Sequence, residues 1–225
     1  MSPRAKRLRW FEVFLVLSIA LSGFLLNSLY LLHFGPSAAP HFSSTRWLVG
    51  LVHEATGLLL LGYVLSRRSL GFKDLGLRWS FRDVGVGLLV AAASYAAYIF
   101  GSIAVHLVHY AIYGSLAAGP TGKDFFAHPG LAALPFTLLN PFFEELIVRA
   151  YLMTEVFELT GSSLLAVGLS VAIQFSYHLY YGWARAITLS FVFLMLALFY
   201  DRTHRALPII VAHSFFDITA LIRLW

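Results

Sequence analysis

Glu144, Glu145, Arg149, His178, His213 and Asp217 are ionisable side chains set in runs of otherwise apolar sequence. In hydrocarbon every such group is expensive, so each is a candidate for function. The densest cluster is Asn140-Pro-Phe-Phe-Glu-Glu-Leu-Ile-Val-Arg-Ala-Tyr151. Asn140 followed by Pro141 has the pattern of a helix start, with Asn as the cap and Pro as the first helical residue. Both glutamates then fall in the first turns, where the helix dipole favours negative charge. Glu145 and Arg149 are one turn apart on one face, so they can pair and hold Glu145 ionised. Glu144 lies about 100° around the helix. That leaves it freer to act on a ligand or on a water as a general base. The competing reading is a buried ion pair that only fixes helix packing. It accounts for Glu145 with Arg149 but less well for Glu144, because no second cation is near in sequence.

Two histidines complete the set. His178 stands in Gln174-Phe-Ser-Tyr-His-Leu-Tyr-Tyr181, and His213 in Ala212-His-Ser-Phe-Phe-Asp217. His213 and Asp217 are again one turn apart, so Asp217 can accept a hydrogen bond from the ring and fix its tautomer. A single histidine of this kind is more often a helix-contact residue than a catalyst. Two of them together with Glu-Glu-x-x-x-Arg favour chemistry.

The elements that must position these residues are membrane helices. The chain has 225 residues, of which 59% are hydrophobic and 12% charged, with a mean hydropathy of +0.77. Soluble domains carry about twice that charged fraction. No cysteine is present, which excludes disulfides, a thiol nucleophile and Cys-based metal sites. The net charge of +5 sits between apolar runs and not in one aromatic-interleaved stripe. Anionic lipid headgroups are therefore the expected partner and nucleic acid is not.

Runs of about 20 apolar residues mark spans. They lie at Trp10 to Phe34, Arg46 to Leu65, Asp83 to about Leu116, Leu131 to about Phe157, Ser163 to Tyr181, Ala186 to Tyr200 and Ala206 to Leu224. The third is too long for a simple span, so it is tilted, broken or projects from the bilayer. The fourth is interrupted at Pro135 and Pro141, and the sixth is short. The expected fold is an all-α polytopic bundle of seven or eight helices, eight if the third region splits. It forms a single integral membrane domain over 1–225. The first span exceeds the usual signal-peptide core of about 7–15 residues, so it reads as a retained anchor. Gly35 to Ser44 and Ala117 to His128 read as connectors, and Ala- and Gly-rich stretches such as Gly85 to Ala97 as close-packing surfaces. Arg4, Lys6, Arg7, Arg9, Arg67, Arg68, Lys73, Arg78, Arg82, Arg202 and Arg205 fall on one side under seven-span alternation. Arg46, Lys123, Arg185 and Arg223 fall on the other, which puts the N-terminus in the cytoplasm. Counting from span ends leaves a tension. Glu144 and His213 fall in the cytoplasmic half and His178 nearer the opposite face, whereas a shared water needs all three close together. Either Pro141 shifts the fourth helix or the fifth span begins later than Ser163.

These motifs resemble the CAAX prenyl endopeptidase and bacteriocin-processing (CPBP, or abortive-infection) family. Glu144-Glu145-Leu-Ile-Val-Arg149 is similar to its EExxxR motif, His178 falls at its FxxxH, and His213-Ser-Phe-Phe-Asp217 matches HxxxN or HxxxD. Lys73-Asp-Leu-Gly-Leu-Arg78 resembles the DLGL segment that precedes the core in bacterial members. The resemblance runs from about Phe72 to the C-terminus, dividing the chain into N-terminal helices (1–71) and a CPBP-like core (72–225). One departure is that Gln174 stands where the family has Phe, one turn from His178, with which it could hydrogen-bond. The resemblance implies a glutamate-dependent intramembrane endopeptidase with a polar cavity lined by Glu144, His178 and His213. Glu144 and His178 would activate a water, and His213 would stabilise the oxyanion. Asp217 would orient or charge His213, because an ionised carboxylate cannot donate. Glu145 and Arg149 would shape the site. The implied partners are a peptide or membrane-protein substrate and the lipid bilayer, in a bacterial inner membrane, with no cofactor.

Rival chemistries leave weaker traces. His53-Glu-Ala-Thr-Gly57 begins like a zinc-protease HExxH but lacks the second histidine, so Glu54 is expected to contact another helix. Tyr200-Asp201 resembles the YD of presenilin-like proteases without a GxGD, and no GxSxG is present. His178, His213 and Glu144 or Asp217 are ordinary zinc-ligand types, although metal-independent hydrolysis is the favoured expectation. The alternatives outside hydrolysis are a non-proteolytic scaffold or regulator that binds another membrane protein, and a transporter using buried Glu and His as a proton relay.

Overall fold

The computed structural model describes residues 2–38, 44–125 and 130–224. The inner parts of both connectors, residues 39–43 and 126–129, lie outside the described residues. Among the described residues all regular structure is helical, without strands. Helix α1 is Pro3–Phe34, α2 is Ser44–Ser66 and α3 is Phe81–Tyr113. Helix α4 is Ala133–Glu144, and it runs through a π-helical segment, Glu145–Tyr151, into α5, Leu152–Thr160. Helix α6 is Ser163–Tyr177, α7 is Trp183–Thr203 and α8 is Ala206–Leu224.

Five of these, α1, α2, α3, α7 and α8, are long and apolar enough to cross a membrane. Protein covers no more than 39% of the apolar window in any of them. Leu59, Leu89 and Phe100 stand outward on the bundle. In water such a surface would aggregate. In lipid it is the solvated face, and the chain is an integral membrane protein.

Of the alternatives open for the third region, the unsplit one holds: α3 is one helix of 33 residues, about 50 Å at 1.5 Å per residue against a hydrocarbon core of about 30 Å. Other expectations change. The sixth span is a full 21-residue helix. Asn140 is not a helix start, because α4 passes straight through Asn140 and Pro141 from Ala133. Pro135 lies in the first turn, where a missing N–H removes no bond. Pro141 lies inside the helix and sacrifices one backbone donor. The π segment that follows is packed on all sides by α2, α6, α7 and α8, and all seven of its residues are buried.

The bundle is tied at one end. Arg9 donates to Glu155 (2.9 and 2.6 Å) and to Glu158 (2.7 Å), while Arg68 donates to Glu155 (2.6 Å) and to Glu12. The DLGL-like segment forms a short 3₁₀ turn at Phe72–Leu75. The Gly76 carbonyl accepts from Ala206 N (3.1 Å), at the turn between α7 and α8. Gly76 has φ +83°, and a Cβ there would lie 1.9 Å from the His204 carbonyl oxygen, so only glycine suits this docking. Close approach also explains Gly87 on α3, where a Cβ would come within 2.6 Å of Val211 on α8.

Candidate active site

The π segment carries Glu145 and Arg149 into the bundle centre, both with no solvent exposure. The pairing expected from spacing is present: Arg149 Nη1 donates to Glu145 Oε1 (3.1 Å), and Nε lies 3.1 Å from Oε2 as a charge contact without a hydrogen bond. A hydrogen bond between two ionised groups is stronger than one between neutral groups. The remaining Arg149 nitrogen reaches the Phe193 carbonyl (3.4 Å) and the Gln174 side-chain oxygen.

Gln174 is therefore more than a departure from a motif. It is fully buried, its oxygen accepts from Arg149 and its amide donates to Glu144 Oε2 (2.8 Å). The expected bond between its side chain and His178 is not made. His178 Nδ1 lies instead 2.9 Å from the Gln174 main-chain carbonyl. A carbonyl only accepts, so Nδ1 carries the proton and, in the neutral ring, Nε2 is left with a lone pair.

Glu144 takes two further donors, Tyr177 Oη at 2.6 Å and Asn140 Nδ2 at 3.3 Å. His178 and His213 both lie within electrostatic range of its carboxylate. His213 is held differently from expectation. Its close partner is Glu145, with Nδ1 2.7 Å from Oε1, while Asp217 stands 3.5 Å from Nε2. Asp217 lies one turn on along the same helix and so flanks the outer nitrogen, whereas Glu145 arrives from the side and fixes the inner one. At 3.5 Å the outer nitrogen is not committed to Asp217.

The depth of His178 follows from helix length. Helix α6 begins at Ser163 as read from sequence but ends at Tyr177, not Tyr181. Its 15 residues reach about 22 Å, short of a bilayer core of about 30 Å. His178 caps the helix inside the membrane, and a short turn, Leu179–Tyr181, follows. Ser28 on α1 holds this break from both sides: its hydroxyl donates to the Ser176 carbonyl (3.0 Å) and accepts from Tyr180 N (3.0 Å). Ser28→Ala leaves two backbone groups without partners in a dry interface. The expected loss is about 2 kcal/mol of stability, with faster hydrogen exchange at the Tyr180 amide. Thermal unfolding and exchange in lipid nanodiscs measure both, and unchanged exchange at Tyr180 would show that Ser28 does not hold the loop.

All six residues singled out by sequence thus meet in one network. Two cavities lie away from this network. One, of about 100 Å³, is lined by Met153, Phe157, Ser163, Tyr200, Asp201 and His204. The other, of about 70 Å³, is lined by residues that include Tyr98, Ser102, His106, Arg185 and Thr188. Around Glu144 the side chains of Asn140, Gln174 and Tyr177 occupy positions that water would take. Among the described residues no three His, Asp or Glu side chains are grouped to hold a metal ion.

Residues 126–219 match the family model of the type II CAAX prenyl endopeptidase Rce1-like proteins. This segment is similar to the Rce1-like family. The resemblance carried by Glu144 to Asp217 therefore agrees with similarity to a CAAX-type endopeptidase family. No curated protein and no solved structure matches the chain. The Rce1-like segment includes all six singled-out residues together with Asn140, Gln174 and Tyr177, whereas Ser28 comes from outside it. Sequence reasoning passed over Tyr177 and Ser28. Tyr177 carried the weak signal of standing beside His178. Ser28 carried none, since its partners are about 150 residues away and its type is common in membrane helices.

Proposed function

We propose that the protein is an intramembrane endopeptidase that hydrolyses a peptide bond through a water activated by Glu144 and His178. The observation that carries this reading is the meeting of one carboxylate and two imidazoles, from three separate chain segments, at electrostatic range inside a bilayer bundle. His178 has Nδ1 on a carbonyl, so Nε2 can accept a hydrogen bond from water and orient it. Glu144 takes the proton from the same water as general base. The water oxygen attacks the scissile carbonyl, and the C–N bond breaks when the leaving nitrogen receives the proton. His213, as the imidazolium, donates from Nε2 to the oxyanion, while Nδ1 stays on Glu145. Asp217 keeps that ring charged, and Arg149 keeps Glu145 in place. No metal takes part in these steps. Residues 72–225 form the catalytic core and the helices of 1–71 support it.

The substrate class follows the family: a peptide presented at the membrane, with a prenylated CAAX end as the first candidate and a leader-type peptide as the second. The Lys and Arg distribution supports a cytoplasmic N-terminus, and the compact chain with its DLGL-like segment supports an inner bacterial membrane. Labelling of single introduced cysteines from either side of sealed vesicles reads this out, and external labelling at the N-terminus would reverse it. A non-proteolytic scaffold is the second reading, favoured by the three protein donors that occupy Glu144.

The test is reconstitution of the full chain in liposomes with internally quenched peptides of both classes, in water enriched in oxygen-18. Cleavage with a single heavy oxygen in the new carboxyl is expected. A folded protein that cleaves neither probe would leave the scaffold reading standing.

A further inference from the structure

Glu54 lies on α2, outside the Rce1-like segment, and the mechanism above does not use it. It has no solvent exposure. One carboxyl oxygen accepts from Asn140 Nδ2 at 2.8 Å, and the other is buried without a hydrogen-bond partner. The same Asn140 nitrogen lies 3.3 Å from Glu144 Oε1. An amide nitrogen has two hydrogens, so Asn140 can give one to each carboxyl group.

The helix contact that brings Glu54 here is built for it. Gly50 and Gly57 flank Glu54 on one face of α2, at spacings of four and three. Phe136 and Phe143 flank Asn140 on α4 at the same spacings. A Cβ on Gly50 would come within 2.7 Å of the Phe136 ring, and one on Gly57 within 2.6 Å of the Phe143 ring. Two phenyl rings seated over two glycines set the register, and that register leaves Glu54 opposite Asn140. A carboxyl group without a cation against it is a poor way to hold two helices together in lipid. Two phenyl–glycine contacts already do that.

We propose that Glu54 is a positioning residue of the site, holding the Asn140 amide so that its second N–H stays on Glu144. The proposal rests on the endopeptidase reading, in which the orientation of Glu144 matters. Glu54→Met removes the acceptor and keeps the volume. In liposomes with the quenched prenylated CAAX peptide, kcat is expected to fall about tenfold or more with KM little changed, the loss of one hydrogen bond in a charged network. Glu54→Gln keeps an acceptor and should recover most of kcat. A purely structural residue would not behave so, because Glu54→Met would then be as active as it is stable.

Thermal unfolding in nanodiscs gives a second readout that needs no turnover. The Tm losses of Glu54→Met and Glu144→Gln should be less than additive, and additive once Asn140→Ala is present. Wild-type cleavage with undiminished kcat in Glu54→Met overturns the positioning role and leaves the endopeptidase intact. Absence of wild-type cleavage sinks the endopeptidase reading instead. In that case additive Tm losses in the Asn140 background of the wild type overturn the link between Glu54 and Glu144, and non-additive losses uphold it.

Discussion

Glu144→Gln is expected to lower kcat by about 10³-fold, within the range for removal of a general base, while the protein remains folded. Geometry separates the two effects. Oε2 of Glu144 accepts from Gln174 and Tyr177, and Oε1 accepts the longer bond from Asn140. A glutamine can keep its oxygen towards Gln174 and Tyr177. Its amide then faces the Asn140 amide, and one weak bond at 3.3 Å is lost. The expected loss of stability is about 1 kcal/mol. A glutamine cannot take a proton from water, so turnover falls much further than stability. Turnover of quenched peptide in liposomes and thermal unfolding in nanodiscs measure the two quantities. Full cleavage by Glu144→Gln would remove Glu144 from the chemistry and the endopeptidase mechanism with it.

Which parts of this arrangement were readable in advance follows from the range of each interaction. The Glu145–Arg149 and His213–Asp217 pairs are one turn apart, and helical spacing alone brings such residues together. The existence of the membrane helices was equally plain, because a run of apolar residues in so uncharged a chain has few other uses. Asn140-Pro141 misled because its local chemistry suits a helix start and a helix interior alike. Contacts of α4 with α2 and α8 override the local preference. His178 was misplaced for a related reason. The apolar run continues through Leu179 and Tyr181, and hydropathy does not register that the helix stops at Tyr177 and is held there by Ser28.

Contributions from the first two helices were the least legible. Ser28 on α1 sets the loop that carries His178, and Glu54 on α2 meets the network through Asn140. Between them, His53 on α2 contacts the Ala20 carbonyl on α1 at 2.8 Å, so the two supports are themselves joined. Each of these contacts joins residues far apart in sequence. In lipid, where apolar contact gives little preference among partners, such polar contacts help fix which helix faces which. The N-terminal helices are thus part of what holds the site, not only an anchor before it.

Arg149→Met should be the most damaging single change to the fold, with an expected loss of about 3–5 kcal/mol. The guanidinium is fully buried and joins Glu145, Gln174 and the Phe193 carbonyl. Its removal leaves the Glu145 carboxylate with His213 alone and deprives Gln174 of the donor on its oxygen. Lysine is no remedy, because a single ammonium cannot span Glu145, Gln174 and the Phe193 carbonyl as the planar guanidinium does. The double variant Glu145→Met/Arg149→Met removes both charges, and replacing a buried pair by apolar side chains is often neutral or stabilising. Most of the lost stability should return. Activity should not, since His213 then lacks the carboxylate that holds Nδ1 at 2.7 Å. Unfolding in nanodiscs and peptide turnover, measured on both variants, distinguish the roles. If the double variant is as stable and as active as the wild type, the pair serves neither the fold nor the site. If it is stable and inactive, the ion pair is kept for the orientation of His213.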